Sequence, residues 1–215
     1  MLDLVSVIIT TYMRPAEIVF KAIDSVCRQT YPKIEIIVVD DSPPTYECRN
    51  HLKDAILKLW PSVKYIQHPF NKGACAARNT GLEAAQGVYV AFLDDDDEWL
   101  PEKIEKQLHG FTDADIALVY SGAIAYDESS GTESVCRTDF HAGHVYDALI
   151  YHNFIGSTSI PTIKKSALEE IVGFDIQMKS AQDYDVWLRL SQLYKFNYIE
   201  EPLVKYHIHG GERIS

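Results

Sequence analysis

The sequence predicts an α/β protein built on one mostly parallel central sheet with helices on both faces. Three observations carry that prediction. Through the first half, short apolar β-branched runs alternate with helical patterns, the order that parallel strands joined by crossover helices produce. The strand-like runs are nearly continuous in apolar residues, as strands covered on both faces are. Polar clusters then fall at the carboxyl ends of those runs, where open α/β sheets bind their ligands.

The elements follow in order. Residues 4–10 (LVSVIIT) form a first strand. Pro15 suits the first turn of a helix, and Ile18, Val19, Ala22, Ile23 and Val26 recur at helical spacing until Pro32. Residues 34–39 make a second strand that ends in Asp40, Asp41, Ser42 and two prolines. A helix over 51–60, a strand over 63–66, an Ala-rich helix over 74–85 stopped by Gly87, and a strand over 88–93 complete the regular half. After Trp99 the pattern loosens. Helices are predicted over 100–110, 145–151, 165–172 and 185–194, and strands over 116–121, 198–199 and 203–206. The polar stretch 127–143 reads as a mobile loop, and the least regular stretch, 127–159, as the place where specificity lies. No internal repeat, low-complexity run or linker interrupts the chain, so residues 1–215 are expected to form a single domain.

Composition narrows the function. The 215 residues carry 20 Lys plus Arg against 31 Asp plus Glu, a net charge of −11. Such a surface has no electrostatic reason to hold a DNA or RNA backbone, and no basic cluster offsets it. No nucleic acid partner is expected, and a phosphate ligand would need local cations or a metal. No apolar run of membrane-spanning length occurs, and because the opening residues run directly into strand-like sequence no leader is expected. Cys27, Cys48, Cys75 and Cys136 are scattered, and Cys27 and Cys75 read as buried thiols in helices. A reducing cytoplasm is the expected setting.

Three clusters should meet at one sheet edge: Thr10, Thr11 and Tyr12 with Arg14; Asp40 and Asp41; and the run Asp94 to Asp97. One Asp is enough to start the following helix, but four carboxylates at the end of a buried strand call for a cation. Oxygen donors beside a phosphate suit Mg2+ or Mn2+. Asp41 either binds a base or ribose or starts a turn with Ser42 and Pro43, the turn being the stronger reading of those residues alone. Tyr12 can stack on a base, while Arg14 and Arg78 can pair with phosphate or, for Arg78, with the acidic run. Asp183 and Asp185 stand just ahead of a helix, where capping is the first explanation. His207 and His209 alternate along a strand, and a surface pair is the commoner meaning.

Taken together, SVIITTYMRP, EIIVVDDS, NKGACAARNTGLEAAQGVYVAFLDDDDEWLPEKI, VGFD, AQDYDVWLRL and EEPLVKYHIHG resemble family-2 glycosyltransferases of the GT-A fold. The resemblance spans almost the whole chain. It implies a nucleotide-sugar-binding half over 1–98 and an acceptor and catalytic half over 99–215. It places Thr10, Tyr12, Arg14, Asp41 and Arg78 on the nucleotide, UDP being the usual one. Asp94 and Asp95 fall by the ribose or sugar, Asp96 on the metal, and Asp183 becomes the catalytic base. His209 matches a position near the diphosphate, a further metal-side candidate. Where the family often has Asn and Glu, this chain has Met13 and Gln182. Relatives often continue past this chain's end into a segment that helps bind acceptor or membrane.

The implied activity is inverting transfer from a UDP-sugar to a glycan or glycolipid acceptor. Its expected setting is surface polysaccharide or glycoconjugate synthesis, with a membrane's inner face as a peripheral contact. Two rivals remain: a sugar nucleotidyltransferase, and a non-catalytic nucleotide-sugar binding module. The first strand is followed by neither GxGxxG nor GxxxxGK[ST], which argues against dinucleotide and P-loop enzymes.

Overall fold

A computed structural model describes residues 2–136 and 139–208. The regular half folds as the sequence predicts. Strand β1 (Val5–Thr11) pairs in parallel with β2 (Ile34–Asp40) and β4 (Tyr89–Asp94), and β2 pairs in parallel with β3 (Lys64–Gln67). Their spatial order is β3-β2-β1-β4. The connections are α1 (Ala16–Cys27), α2 (Arg49–Leu59) and α3 (Ala74–Ala84). Val5, Val7, Ile8, Ile9, Ile37, Val38, Val39 and Val90 are all fully enclosed, so burial of β-branched side chains on both faces sets the register.

The second half adds β5 (Asp97–Trp99), α4 (Lys103–His109), β6 (Ile116–Asp127), β7 (Thr132–Val135) and α5 (Tyr146–Tyr151). It continues through β8 (Thr162–Lys164), α6 (Lys165–Glu170), α7 (Gln182–Leu193) and β9 (Lys195–Ile208). The sheet runs on without a break in the order β4-β8-β6-β9-β5, with β7 on the side of β6. Here antiparallel pairs enter: β8 with β4 and β6, β5 with β9, and β7 with β6, while β6 and β9 are parallel. One sheet therefore carries both halves.

Several expectations need correction. The stretch read as a mobile loop after Asp127 contains β7, which pairs with the far end of β6 as a hairpin. The strand predicted over 116–121 continues to Asp127, and the two closing strands are one, β9. Strands β5 and β8 went unpredicted because three residues are too few for a period to show. Cys75 is buried as expected, but Cys27 is exposed. Helix α7 begins at Gln182, so Asp183 and Asp185 lie inside its first turn, and no side chain caps it. No helix among the described residues is long and apolar enough to cross a membrane.

Candidate active site

The carboxyl ends of β1, β2 and β4 open into a cavity of about 660 Å³, a volume ordinary for a small-molecule site. The strand order reverses at β1 and β4, the place where such sheets leave a crevice. Thr10, Tyr12, Arg14, Asp41, Arg78, Asp94, Asp95, Asp96 and Asp183 all line it. His209 lies outside the described residues.

Asp40 and Asp41 divide their tasks by strand alternation. Asp40 is fully enclosed; its Oδ1 accepts from Ser42 N at 2.9 Å and its Oδ2 from the Tyr65 hydroxyl at 3.0 Å. The turn bond expected of Asp41 thus belongs to Asp40. Asp41 instead reaches across to the segment before α3. Its Oδ1 accepts from Lys72 N at 2.8 Å and its Oδ2 from Gly73 N at 2.8 Å. Gly73 sits at φ +90°, a conformation that favours glycine. Met13, at φ +50°, donates its backbone N–H to Ser42 Oγ at 2.8 Å, which ties the end of β1 to the end of β2.

Asp95 and Asp96 form the turn between β4 and β5. Arg14 grips both: Nε lies 3.0 Å from Asp95 Oδ1 and Nη2 lies 2.6 Å from Asp96 Oδ2. Burial pushes the Asp95 carboxyl up to about 7, against the pull of the Arg14 charge. Arg78, on α3, donates from Nη2 to Asp94 Oδ1 at 3.0 Å and from Nη1 to Gln182 Oε1 at 2.9 Å. Phe174 lies under its guanidinium at 5.5 Å. Its Nε is buried with no hydrogen-bond partner, while the residue itself lines the cavity.

Residues of the second half that sequence reasoning passed over hold the acidic run from the other side. Thr158 Oγ1 donates to Asp94 Oδ1 at 3.2 Å, Ser159 Oγ donates to Asp97 Oδ2 at 2.6 Å, and Asp94 N donates to Ser159 Oγ at 3.0 Å. The only signal was a polar run, 157–159, inside an otherwise irregular stretch. Asp183 reaches the cavity from α7. Burial raises its pKa, opposed by the Tyr184 N–H on its Oδ1 at 2.7 Å and by the Arg78 charge. Asp185 is absent from the cavity wall and is held by Arg189 at 3.0 and 2.6 Å. His207 is no bare surface residue either, its ring lying between Glu98 at 2.8 Å and Glu128 at 3.1 Å.

The acidic run can be tested for a divalent cation by its donor set. Asp94, Asp95 and Asp96 offer hard oxygen donors on the cavity wall. Among the described residues no group of three or more His, Cys, Asp or Glu side chains is placed to hold a metal ion by itself. Mg2+ and its like need none, since they commonly take one or two carboxylates and complete their shell with phosphate oxygens and water. These carboxylates are of the type such an ion takes, and each is also engaged by Arg14 or Arg78.

The sequence profile described as Glycosyl transferase family 2 matches residues 6–172. A putative colanic acid biosynthesis glycosyl transferase, WcaA, from Escherichia coli strain K12 is 32% identical over 218 residues, covering 97% of this chain and 74% of the relative. S. aureus TarS 1-349 in complex with UDP-GlcNAc superimposes with a TM-score of 0.76 at 20% identity, over 98% of this chain and 60% of that one. The mannosyltransferase PcManGT from Pyrobaculum calidifontis, in complex with GDP-Man and Mn2+, gives 0.72 at 20% identity, over 98% and 58%. The chain thus spans about three-quarters of WcaA but less than two-thirds of either crystallised chain. At such identities the two structures bear on the fold alone, which is that of GT-A glycosyltransferases.

Proposed function

Because the chain belongs to glycosyl transferase family 2, we propose that it moves a sugar from a UDP-sugar to an acceptor hydroxyl with inversion. The acceptor is a glycan or glycolipid of surface polysaccharide or glycoconjugate synthesis, a setting supported by the name of WcaA. One observation carries the reading. A single cavity joins phosphate-suited cations and carboxylates at the strand ends to a half-buried acid, Asp183, on a separate helix. Donor-binding half 1–98 and acceptor half 99–215 meet there.

In this reading Asp41 takes the base edge, Tyr12 stacks on the base, and Thr10 faces the ribose. Arg14 and Arg78 hold the diphosphate, and Asp94 with Asp95 frames the sugar. Asp96, with its acidic neighbours, would hold Mn2+ or Mg2+, which when bound supplies Lewis-acid relief of the charge on the leaving diphosphate. Asp183 accepts the proton of the acceptor hydroxyl as that oxygen bonds to the anomeric carbon and the bond to the diphosphate breaks. Burial brings Asp183 nearer the pH at which it works, as a general base requires. A single displacement turns an α-linked donor into a β-glycoside and releases UDP.

The test is UDP release with Mn2+ and a panel of UDP-sugars and acceptors, for the native chain and Asp183→Asn. Asn keeps the Tyr184 hydrogen bond and loses only the basicity. Transfer is expected to fall by roughly two to four orders of magnitude, with UDP affinity and melting temperature little changed. Near-normal turnover in Asp183→Asn sinks the assignment. Nucleoside monophosphate and pyrophosphate as products would mean a nucleotidyltransferase, and binding without turnover a binding module.

A further inference from the structure

Asp41, the proposed base-reading carboxylate, rests on a histidine that the reaction itself does not touch. His68 follows β3 and is 3% exposed. Its Nδ1 lies 2.7 Å from Asp41 Oδ1, and its Nε2 lies 2.9 Å from Thr80 Oγ1 on α3. A carboxylate only accepts, so Nδ1 carries the proton and donates; the Thr80 hydroxyl, which can donate or accept, bonds Nε2 on the other side. The backbone is held as firmly, with His68 N donating to Asp40 O at 3.0 Å and Arg49 Nη2 donating to His68 O. The ring can neither turn nor withdraw without breaking a buried bond.

The consequence lies in a count of lone pairs. A carboxylate has about four in-plane acceptor positions. At Asp41, Lys72 N–H and His68 Nδ1–H fill both on Oδ1, and Gly73 N–H fills one on Oδ2. One position is left on a side chain that lines the cavity. Uracil presents a single imide N–H between two carbonyls, and one acceptor satisfies it. Guanine presents adjacent N1–H and N2–H donors, which pair with a carboxylate through both of its oxygens. The fold does not decide between them, since its crystallised neighbours hold UDP-GlcNAc in one case and GDP-Man in another. We propose that His68 is a positioning residue that sets nucleobase specificity, filling Asp41 Oδ1 so that the carboxylate accepts one N–H and favours uracil over guanine. The inference rests on the assignment of Asp41 to the base.

Calorimetric titration of UDP, GDP and inorganic pyrophosphate in MnCl2 tests it on the native chain, His68→Leu and His68→Asn. The native chain should prefer UDP over GDP by roughly tenfold or more, about the worth of one well-placed hydrogen bond. His68→Leu should bring the two nucleotides within about threefold of each other while leaving pyrophosphate affinity unchanged. In His68→Asn the amide nitrogen occupies the place of Nδ1, so the preference should return although the Thr80 bond is lost. An unaltered UDP-to-GDP ratio in His68→Leu overturns the proposal, as does a His68→Asn that fails to restore it, because the histidine then only ties α3 to the sheet. A native chain that prefers GDP overturns it too. If His68→Leu does not fold, His68→Asn against the native chain decides, a lost preference counting against. A native chain that binds neither nucleotide with Mn2+ defeats the functional reading itself and is thereby told apart from these outcomes.

Discussion

Asp95 carries a thermodynamic cost that the rest of the chain must offset. Enclosed at the end of β4, it ionises at about 7 because burial outweighs the Arg14 charge beside it. The unfolded carboxyl ionises near 4. Between those two values the folded state binds more protons than the unfolded one, so this group lowers stability as pH rises from about 4 to 7 and adds nothing further above. Asp95→Asn removes the penalty while keeping the shape, and leaves Arg14 its bond to Asp96. It should raise unfolding free energy by about 1–3 kcal/mol at pH 8, the gain shrinking towards zero at pH 4. Urea unfolding at both pH values checks this; an equal gain at each would mean that ionisation of Asp95 is not the cause. A residue retained at such cost fits a site whose charge is needed for binding. In the sequence the acidic run was plain, but not which member would be enclosed. That depends on the turn between β4 and β5, and β5 was too short to read.

At the scale of elements, α3 brings Arg78 and the Asp41-bound Gly73 to the cavity, and its fit against β1 is close. Gly81, in mid-helix, faces Ile8, and an added Cβ would stand 2.3 Å from Ile8 Cγ2. Intrinsic propensity alone would reward Gly81→Ala by about 1 kcal/mol. Overpacking costs about 1–3 kcal/mol and should win, because the enclosed Ile8 has little room to yield. A lowered denaturation midpoint is expected, and a raised one would show that α3 can shift away. The same closeness explains what was legible. Helices α1 to α3 and their strands announce themselves because both partners are apolar at fixed periods. Strand β7 is exposed at all four positions, so its polar sequence carries no period and reads as a loop. Helix α7 was placed late because its first enclosed residue is Val186, four residues past the true start at Gln182. Asp183 was therefore found by motif and not by periodicity.

Across the whole molecule, the question is what holds the proposed base on α7 in register with the strand ends proposed to bind the donor. The segment between α6 and α7 is the joint. Asn79, on α3, donates to Phe174 O at 2.8 Å and accepts from Phe174 N at 2.9 Å. Phe174 in turn packs against Phe92 of β4 and lies under Arg78. From the other side Arg189, on α7, donates to Ile171 O at 2.7 Å and to Gly173 O at 2.8 Å while holding Asp185. A chain of half-buried polar contacts thus runs from α3 through residues 171–174 to the first turn of α7. None of it was legible beforehand, since each link joins residues far apart in sequence, and only the VGFD stretch drew notice. Arg189→Ala cuts the chain at α7 and leaves the donor wall intact. If the joint places Asp183, transfer should fall by about 100-fold, the cost of roughly 1 Å of misplacement, while UDP affinity stays within a few-fold. Arg189→Lys should recover little, because a single ammonium cannot serve two carbonyls and a carboxylate with the fork's geometry. Turnover and calorimetric UDP affinity, measured together with the melting temperature, separate the outcomes. Equal losses of turnover and UDP binding would make Arg189 a general support of the fold, and unchanged turnover would mean that α7 keeps its register by packing of Val186, Trp187 and Leu190 alone.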